Sequence, residues 1–527
     1  AKTLPDVTFV AENLFTCSQD TQDKMGALIA EQDLNRIVVA ACTPRTHEGL
    51  FQETMVSAGL NKYLLEMANI RNQDSWVHAS DPQGATEKAK DLVRMAVAKV
   101  ALMGPLMETD IPMCPKALVV GGGISGLTAS KNLALHGYTV SLVEGSSRLG
   151  GQARRLFRTW KGEDVRQSLG ELIDAVESDP HVRVHLETQV TKVEGFVGKF
   201  TSTLRSGSRE EIVDHGIAVI ATGAEEYKPD EYLYGRDPRV LTHLELDEKF
   251  LRDDPFFKET RSAVFIQCVG SREKERPYCS KVCCTHSMES ALHLKRLNPE
   301  MNVTLLYRDI RTYGEREYLY RKARLAGVVF IQYSPDRKPV VTPKEAGIEI
   351  EVMDRNLGQT VGMRADLLVL ASAVVPRRNE ELAQVFKIPL NEEGFFVEAH
   401  AKLGPSEFAT PGLFLCGMAH YPKPIDESVA HALAATSRAL TFLSRESIQV
   451  GGMVSRILAE RCSACMGCIR VCPYEAITLN KEKQAAEINE ALCKGCGACA
   501  ATCPSEAVVL SGFDHRQLYA QIRSALL

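Results

Sequence analysis

The chain has no long hydrophobic run, almost no surplus charge and no secretory leader pattern. No apolar stretch approaches the ~20 residues that span a bilayer, so no direct membrane span is expected. Lys and Arg (62) nearly balance Asp and Glu (67), for a net charge of −5. That gives no reason to expect nucleic-acid binding. The first residue is Ala1, as in a processed or truncated protein, and no basic–apolar–cleavage pattern opens the sequence. At 527 residues, 45% hydrophobic and 24% charged, the composition is that of a globular protein of several domains. Sixteen cysteines are the exception. In a large chain without a leader they point to metal clusters in a reducing cytoplasm, not to disulfides.

The chain is organised around residues 117–151. Ala117-Leu118-Val119-Val120 reads as a buried parallel strand. Gly121, Gly123 and Gly126 follow in G-x-G-x-x-G spacing, then a helix to about 136 and a second strand over 138–144. The first glycine permits a tight turn, the second lets a pyrophosphate approach the backbone, and the third lets helix and strand pack closely. Free N–H groups at the helix start, from Ile124 and Ser125, face the phosphates. Glu144 lies 21 residues after Gly123, where a carboxylate accepts ribose hydrogen bonds. Gly145, Arg148, Gly151 and Gln152 continue the pattern, and Arg148-Leu149-Gly150-Gly151 resembles the continuation in two-dinucleotide-binding flavoproteins, which implies FAD instead of NAD. The apolar run over 216–223 ends in Ala221-Thr222-Gly223, a second flavoprotein signature. Residues 412–417 resemble the late motif that meets the ribityl chain, with Gly417 in place and Met418 where Asp is usual. A helix over about 424–444 follows, opened by Pro424 or Asp426, and its N-terminal dipole favours negative charge on a reduced flavin. His431, on that helix, reads as packing.

Between these parts, an inserted second nucleotide domain is expected. Residues 263–267 form its first strand, but Cys268-Val269-Gly270-Ser271-Arg272 carries no phosphate-binding glycine loop. Cys279, Cys283 and Cys284 come next, four thiols within seventeen residues of loop, before a helix over 287–297 and a strand over 302–307. Soft thiolates select iron–sulfur clusters or zinc; a noncubane-type or irregularly held [4Fe–4S] cluster is preferred, with zinc the lesser option. The strongest pattern is C-terminal: Cys462, Cys465, Cys468 and Cys472 before Pro473, repeated as Cys493, Cys496, Cys499 and Cys503 before Pro504. This is the two-cluster ferredoxin spacing, in which the fourth cysteine of each run ligates the other cluster. Cys462, Cys465, Cys468 and Cys503 are therefore assigned to one cluster, and Cys493, Cys496, Cys499 and Cys472 to the second. Near the N-terminus a strand is expected over 37–41, a turn over 43–48, and helices over 49–59 and 85–102. One further short helix is expected after Gly512. Cys17, Cys42 and Cys114 read as small hydrophobes and His47 and His78 as structural.

Together these motifs resemble the HdrA-type iron–sulfur flavoproteins of heterodisulfide reductase over nearly the whole chain. The resemblance is carried by ACTPRTHEGLF and LLEMANIRNQDSWVH, the glycine fingerprint, QCVGSRE with YCSKVCC, and the C-terminal repeat. It implies an α/β, two-dinucleotide-binding (thioredoxin-reductase-like) flavoprotein with an N-terminal α/β region over 1–110. The FAD domain would comprise 111–254 and 365–445, the inserted domain 255–364 and a two-cluster ferredoxin domain 446–527. It also implies a further [4Fe–4S] cluster on Cys268, Cys279, Cys283 and Cys284. The implied role is an oxidoreductase component of an anaerobic cytoplasmic complex, transferring electrons through FAD and clusters, with bifurcation or confurcation between low- and high-potential routes. Partners would be HdrB- and HdrC-like subunits and a hydrogenase or ferredoxin-linked input module, with a homodimer among the implied assemblies. No catalytic side chain is assigned, because the cofactors carry the chemistry. Three departures stand out. The chain begins after an N-terminal cysteine motif frequent in relatives, Asp74 replaces a cysteine before Ser-Trp-Val-His, and Glu289 replaces a lysine near the flavin. A carboxylate there opposes an anionic flavin and weighs against bifurcation. The alternatives are an NAD(P)H-linked iron–sulfur flavoprotein, and an electron wire serving a quinone or acyl-CoA reductase.

Overall fold

The computed structural model describes residues 1–526. They form two compact units, Ala1–Ile111 together with the chain from Gln449 onward, and Pro112–Ile448.

The larger unit is built on two five-stranded parallel sheets. In the first, Lys116–Val120 lies between Thr139–Val143 and Ile217–Ile220, with Val182–His185 and Leu413–Leu415 at the edges. Ala117 to Val120 are all buried, as a central parallel strand covered on both faces requires. The helices Ile124–Leu135 and Ile425–Leu443 pack on this sheet. Ala432, Ala435 and Ala439 are fully buried between them, and their small side chains permit the close approach that lets Asn132 donate to Thr436 Oγ1 at 2.6 Å.

The second sheet runs Val240–Thr242, Leu367–Ser372, Ser262–Val269, Asn302–Tyr307, Val329–Gln332. It draws strands from outside 255–364 at both ends. Apolar runs such as Leu367–Leu370 announce a buried strand but not which sheet receives it. Two antiparallel meanders, Gln189–His215 and Val340–Ala365, rise from the two sheets, and the ribbon of Ala224–Glu226 with Val374–Pro376 joins the two halves. The expected two-dinucleotide-binding α/β class is thus the observed one.

In the smaller unit Ile37–Ala41 pairs in parallel with Leu65–Asn69. The helix Pro44–Ser57 starts inside the expected turn over 43–48, because Thr43 is extended and Pro44 occupies a first-turn position where no N–H is needed. Asp81 caps the helix Pro82–Val100 through the Gly84 N–H. The C-terminal helix His515–Ala525 packs on it. Arg94 donates to Ser524 O at 2.9 Å, Gln517 to Leu102 O at 3.3 Å, and Lys99 Nζ lies 3.8 Å from the Phe513 ring centre. The cysteine repeat folds as two short helices, Gly467–Val471 and Ala498–Thr502, with antiparallel ribbons Ser455–Ile457/Val508–Leu510 and Ile477–Asn480/Ala485–Ile488. Among the described residues no helix is long and apolar enough to cross a membrane.

Candidate functional site

A cleft of about 420 Å³ lies in the larger unit, at the carboxyl ends of the first sheet's strands. Gly121, Gly123, Ile124, Ser125, Glu144 and Gly145 line it, with Gly151, Gln152, Ala221, Thr222, Gly223 and Met418. The loop leaves no room beneath and open space above. A Cβ at Gly121 (φ +110) would meet Ala221 O at 2.4 Å, and one at Gly126 would meet Gly121 O at 1.7 Å, whereas at Gly123 it would meet nothing within 4 Å. The open side faces the start of the helix Ile124–Leu135, the arrangement that accepts a diphosphate. Glu144 first braces this loop. Its Oε2 accepts the Gly122 N–H at 2.7 Å, and its Oε1 accepts the Ser146 N–H at 2.8 Å and the Ser146 Oγ–H at 2.7 Å. A carboxylate has about four acceptor positions, so capacity for a ribose remains. Gln152 Oε1 and Thr285 Oγ1 both belong to residues of the cleft and are buried without a partner. Orphaned buried polar atoms are rare, and a polar cofactor would satisfy them. The donor set, cradle and orphans therefore fit a dinucleotide. Gly126 and Gly417 pack beneath the wall, and Arg148 is exposed and does not line the cleft.

Distant segments complete the lining of the cleft. Arg158, Trp160, Arg377, His243, His286 and Lys423 belong to it, none singled out by the sequence, because no fixed spacing ties them to the glycine loop. Glu289 is also on this wall, paired with Arg296 at 2.7 Å. His286 stacks on His243 at 4.5 Å and pairs with Asp247 at 3.0 Å. Burial lowers the His243 imidazole; for His286 burial is outweighed by Asp247, which raises it. Lys423 Nζ meets His420 Nδ1 at 2.9 Å, and His420 Nε2 meets Glu398 at 2.8 Å. Burial, then the neighbouring Lys281, brings the Lys423 amine down to about 8.

Cys283 lines the cleft, and Cys268, Cys279 and Cys284 lie within electrostatic reach of it, although among the described residues no three His, Cys, Asp or Glu side chains are already set to hold a metal ion. Cys268, next to last in the strand Ser262–Val269, is in a left-handed conformation (φ 62), as are Arg272 (57) and Lys281 (63) in the loop that follows. Non-glycine residues adopt this geometry at a cost of ~1 kcal/mol each, which tertiary structure must offset. Helix Cys283–Leu297 begins at the double cysteine, not at 287, so Cys283 and Cys284 sit in its first turn and not in loop. Burial pushes the Cys283 thiol well up, and Cys268, Cys284 and Cys279 add to it. Burial likewise raises Cys284 to about 12. Such thiols stay protonated until a metal displaces the protons. Arg272 Nη1 lies 3.8 Å from Cys268 Sγ, and the Lys281 N–H donates to Cys279 Sγ at 3.3 Å. Gly270, in the stretch that carries no phosphate-binding glycine loop, is pressed against Tyr227, whose ring a Cβ would meet at 2.4 Å.

In the smaller unit, Cys462, Cys465, Cys468 and Cys503 surround one small cavity. Cys499 is within electrostatic reach of Cys493 and Cys496, and Cys472 accepts the Ala476 N–H at 3.4 Å. The two loops repeat one backbone device. Ala464 (φ 54) and Met466 (59) in the first correspond to Gly495 (63) and Gly497 (75) in the second. Cys17 is exposed and Cys42 and Cys114 are half-buried; among the described residues all sixteen cysteines are free.

A nucleotide cleft walled by a thiol group, in one chain with an eight-cysteine repeat, defines the class: an iron–sulfur flavoprotein, an oxidoreductase. Residues 461–507 match the 4Fe-4S dicluster domain and residues 119–170 the NAD(P)-binding Rossmann-like domain. The second HdrA-type iron–sulfur subunit of the CoB–CoM heterodisulfide reductase of Methanopyrus kandleri is 35% identical over 91% of this chain and 87% of its own. The HdrA component of the H2:CoB–CoM heterodisulfide,ferredoxin reductase of Methanothermobacter thermautotrophicus is 33% identical over 100% of this chain and 94% of its own. Among solved structures, thioredoxin reductase of Lactococcus lactis is similar at 18% identity and a TM-score of 0.45, over 63% of this chain and 99% of that one. The chain belongs to the HdrA family of heterodisulfide reductase iron–sulfur subunits.

Proposed function

We propose that the chain is an electron-relay subunit of a heterodisulfide-reductase-type complex, working with HdrB- and HdrC-like subunits and a low-potential input module. FAD occupies the cleft, one [4Fe–4S] cluster is held by Cys268, Cys279, Cys283 and Cys284, and two more by the C-terminal repeat. When bound, FAD exchanges electron pairs and the clusters carry single electrons. The chain's own residues supply position and charge. The Gly121–Gly126 loop and the helix start hold the diphosphate, Glu144 the ribose, and Gln152 and Thr285 the remaining polar edges. In the repeat, Cys462, Cys465, Cys468 and Cys503 hold one cluster and Cys493, Cys496, Cys499 and Cys472 the other. The observation that carries this reading is that Cys283 lines the same cleft as Gly121, Gly123 and Glu144. A cluster on that motif has a direct route to a cofactor in the cleft. Glu289, paired with Arg296, puts no uncompensated cation at this point of the wall to stabilise negative charge on a reduced flavin, which leads us to read a relay in preference to a splitter of electron pairs.

Anaerobic reconstitution tests this. We expect about twelve iron atoms per chain, three four-iron clusters, with one FAD. We also expect no bleaching of the flavin by NADH or NADPH, because residues 268–272, after the strand Ser262–Val269, carry no phosphate-binding glycine loop. Fewer than eight irons, no flavin, or rapid bleaching would overturn the proposal.

A further inference from the structure

We propose that Lys423 is the redox-coupled proton acceptor of the cleft, taking up a proton when bound flavin is reduced, with His420 and Glu398 as the residues that position it. The inference rests on FAD occupying the cleft.

Lys423 lines the cleft immediately before the helix Ile425–Leu443. Its Nζ is held by His420 Nδ1 at 2.9 Å and Tyr421 O at 3.4 Å. His420 Nδ1 must therefore accept, which leaves Nε2–H to donate to Glu398 at 2.8 Å. His420 and Glu398 are about one-fifth exposed, so this arm reaches toward solvent. The charged groups around the amine are Lys281, Glu427 and Glu398, and the buried Cys416 thiol, raised to about 12 by burial, is titratable but neutral. His431, on the same helix as Glu427, faces His420 with ring centres 5.4 Å apart. Glu427 is already engaged by Lys281, by the Tyr313 hydroxyl and by Arg316 at 3.3 Å. Among the described residues no carboxylate is ion-paired with Lys423, whereas Glu289 on the same wall has Arg296. A desolvated ammonium without a counter-ion is poised to lose its proton, and a nearby gain of negative charge reverses that balance.

The stoichiometry is explicit. Two electrons arrive from an iron–sulfur donor, and one solvent proton forms a new N–H bond on the flavin ring, leaving one net negative charge. Where Lys423 is neutral beforehand, that charge draws a second solvent proton onto Nζ. Reoxidation returns both electrons to an iron–sulfur acceptor and both protons to solvent. Burial and Lys281 set the oxidised-state amine at about 8, so the second proton is taken up only above that pH. Below it Lys423 is charged in both states and contributes no uptake.

The test is an anaerobic potentiometric titration of FAD-loaded holoprotein, followed by flavin absorbance, between about pH 7 and 9.5. In the wild type the midpoint should fall more steeply with pH above about 8, by the slope of one added proton per two electrons. Lys423→Met and Lys423→Arg should both lose this inflection, and the arginine variant, still cationic, should keep the higher potential. His420→Gln should move the inflection without removing it. A flavin-loaded wild type with no inflection overturns the inference whether or not the variants fold, and so does an inflection that survives in both Lys423 variants. A wild type that binds no flavin overturns the cofactor assignment and this inference with it, and the absorbance spectrum shows that before any titration.

Discussion

His215 is fully buried, and its two ring nitrogens face an acceptor and a hydroxyl. Nδ1 meets Ile217 O at 2.9 Å and Nε2 meets Ser202 Oγ at 2.8 Å. A carbonyl only accepts, so Nδ1 carries the proton and Nε2 accepts from the serine. Burial lowers this imidazole to about 4, against about 6.5 in the unfolded chain. Between those values the unfolded chain binds more protons, so this contribution to stability is full above about pH 6.5 and is lost as the pH falls through about 4. It amounts to about 3 kcal/mol. Urea unfolding of the larger unit should show a midpoint that drops between pH 7 and 5, and His215→Gln should flatten that drop. His293 and His431, also lowered to about 4 by burial, act in the same direction. At this scale the sequence was most informative where chemistry demands fixed spacing. The glycine loop, Glu144 and the cysteine repeat were legible because turn geometry and cluster ligation dictate their intervals. Lys423, His286 and Arg377 were not, since they reach the cleft through tertiary folding and carry no local signature. Glu289 was legible as a wall residue, but not its pairing with Arg296.

Two elements concentrate strain and charge. At the N-terminus of the helix Ile425–Leu443, Asp426 accepts from Arg316 at 2.9 and 2.7 Å and from Trp160 Nε1 at 2.9 Å. Glu427 takes Lys281 from the cysteine loop and the Tyr313 hydroxyl. This cluster ties the second sheet's loops to a helix of the first sheet. Arg316 is buried while Asp426 is well exposed, so the full cost of a broken buried pair is screened. The double variant Asp426→Asn with Glu427→Gln should lose about 2 kcal/mol in thermal unfolding. In the cysteine repeat, a Cβ at Gly495 would meet Met453 O at 2.3 Å. Gly495→Ala should cost about 2 kcal/mol and lower the iron bound to the second loop, measurable as iron per chain. Ala464→Gly, at the equivalent position of the first loop, should be tolerated. Element boundaries were legible where apolar runs end sharply, as at 302–307, which matches the observed Asn302–Tyr307. They were missed where the chemistry is not apolar. Cysteine gives no helix signal, so the start at Cys283 was placed four residues late, and Pro44 reads as a breaker though it opens its helix.

At the scale of the whole molecule, the sequence suggested an N-terminal region, an FAD domain interrupted by an insertion, and a C-terminal ferredoxin domain, and in the structure the first 111 residues and the C-terminal part form one unit. The link is the final helix, whose partners Arg94 and Leu102, on and just after the helix Pro82–Val100, lie more than 400 residues away in the sequence, too far for any local pattern to disclose. Likewise the second sheet claims strands on both sides of the expected insertion. The larger unit encloses a nucleotide cleft with a thiol group in its wall, and the smaller unit carries the dicluster repeat. The central claim is that one chain holds a two-electron carrier and three one-electron carriers. An anaerobic dithionite titration of the reconstituted chain, following flavin absorbance and cluster EPR together, tests it most directly. We predict uptake of about five electrons per chain, two into flavin and one into each of three clusters. Uptake of about two or three electrons, or full uptake with no flavin bleaching, would contradict it.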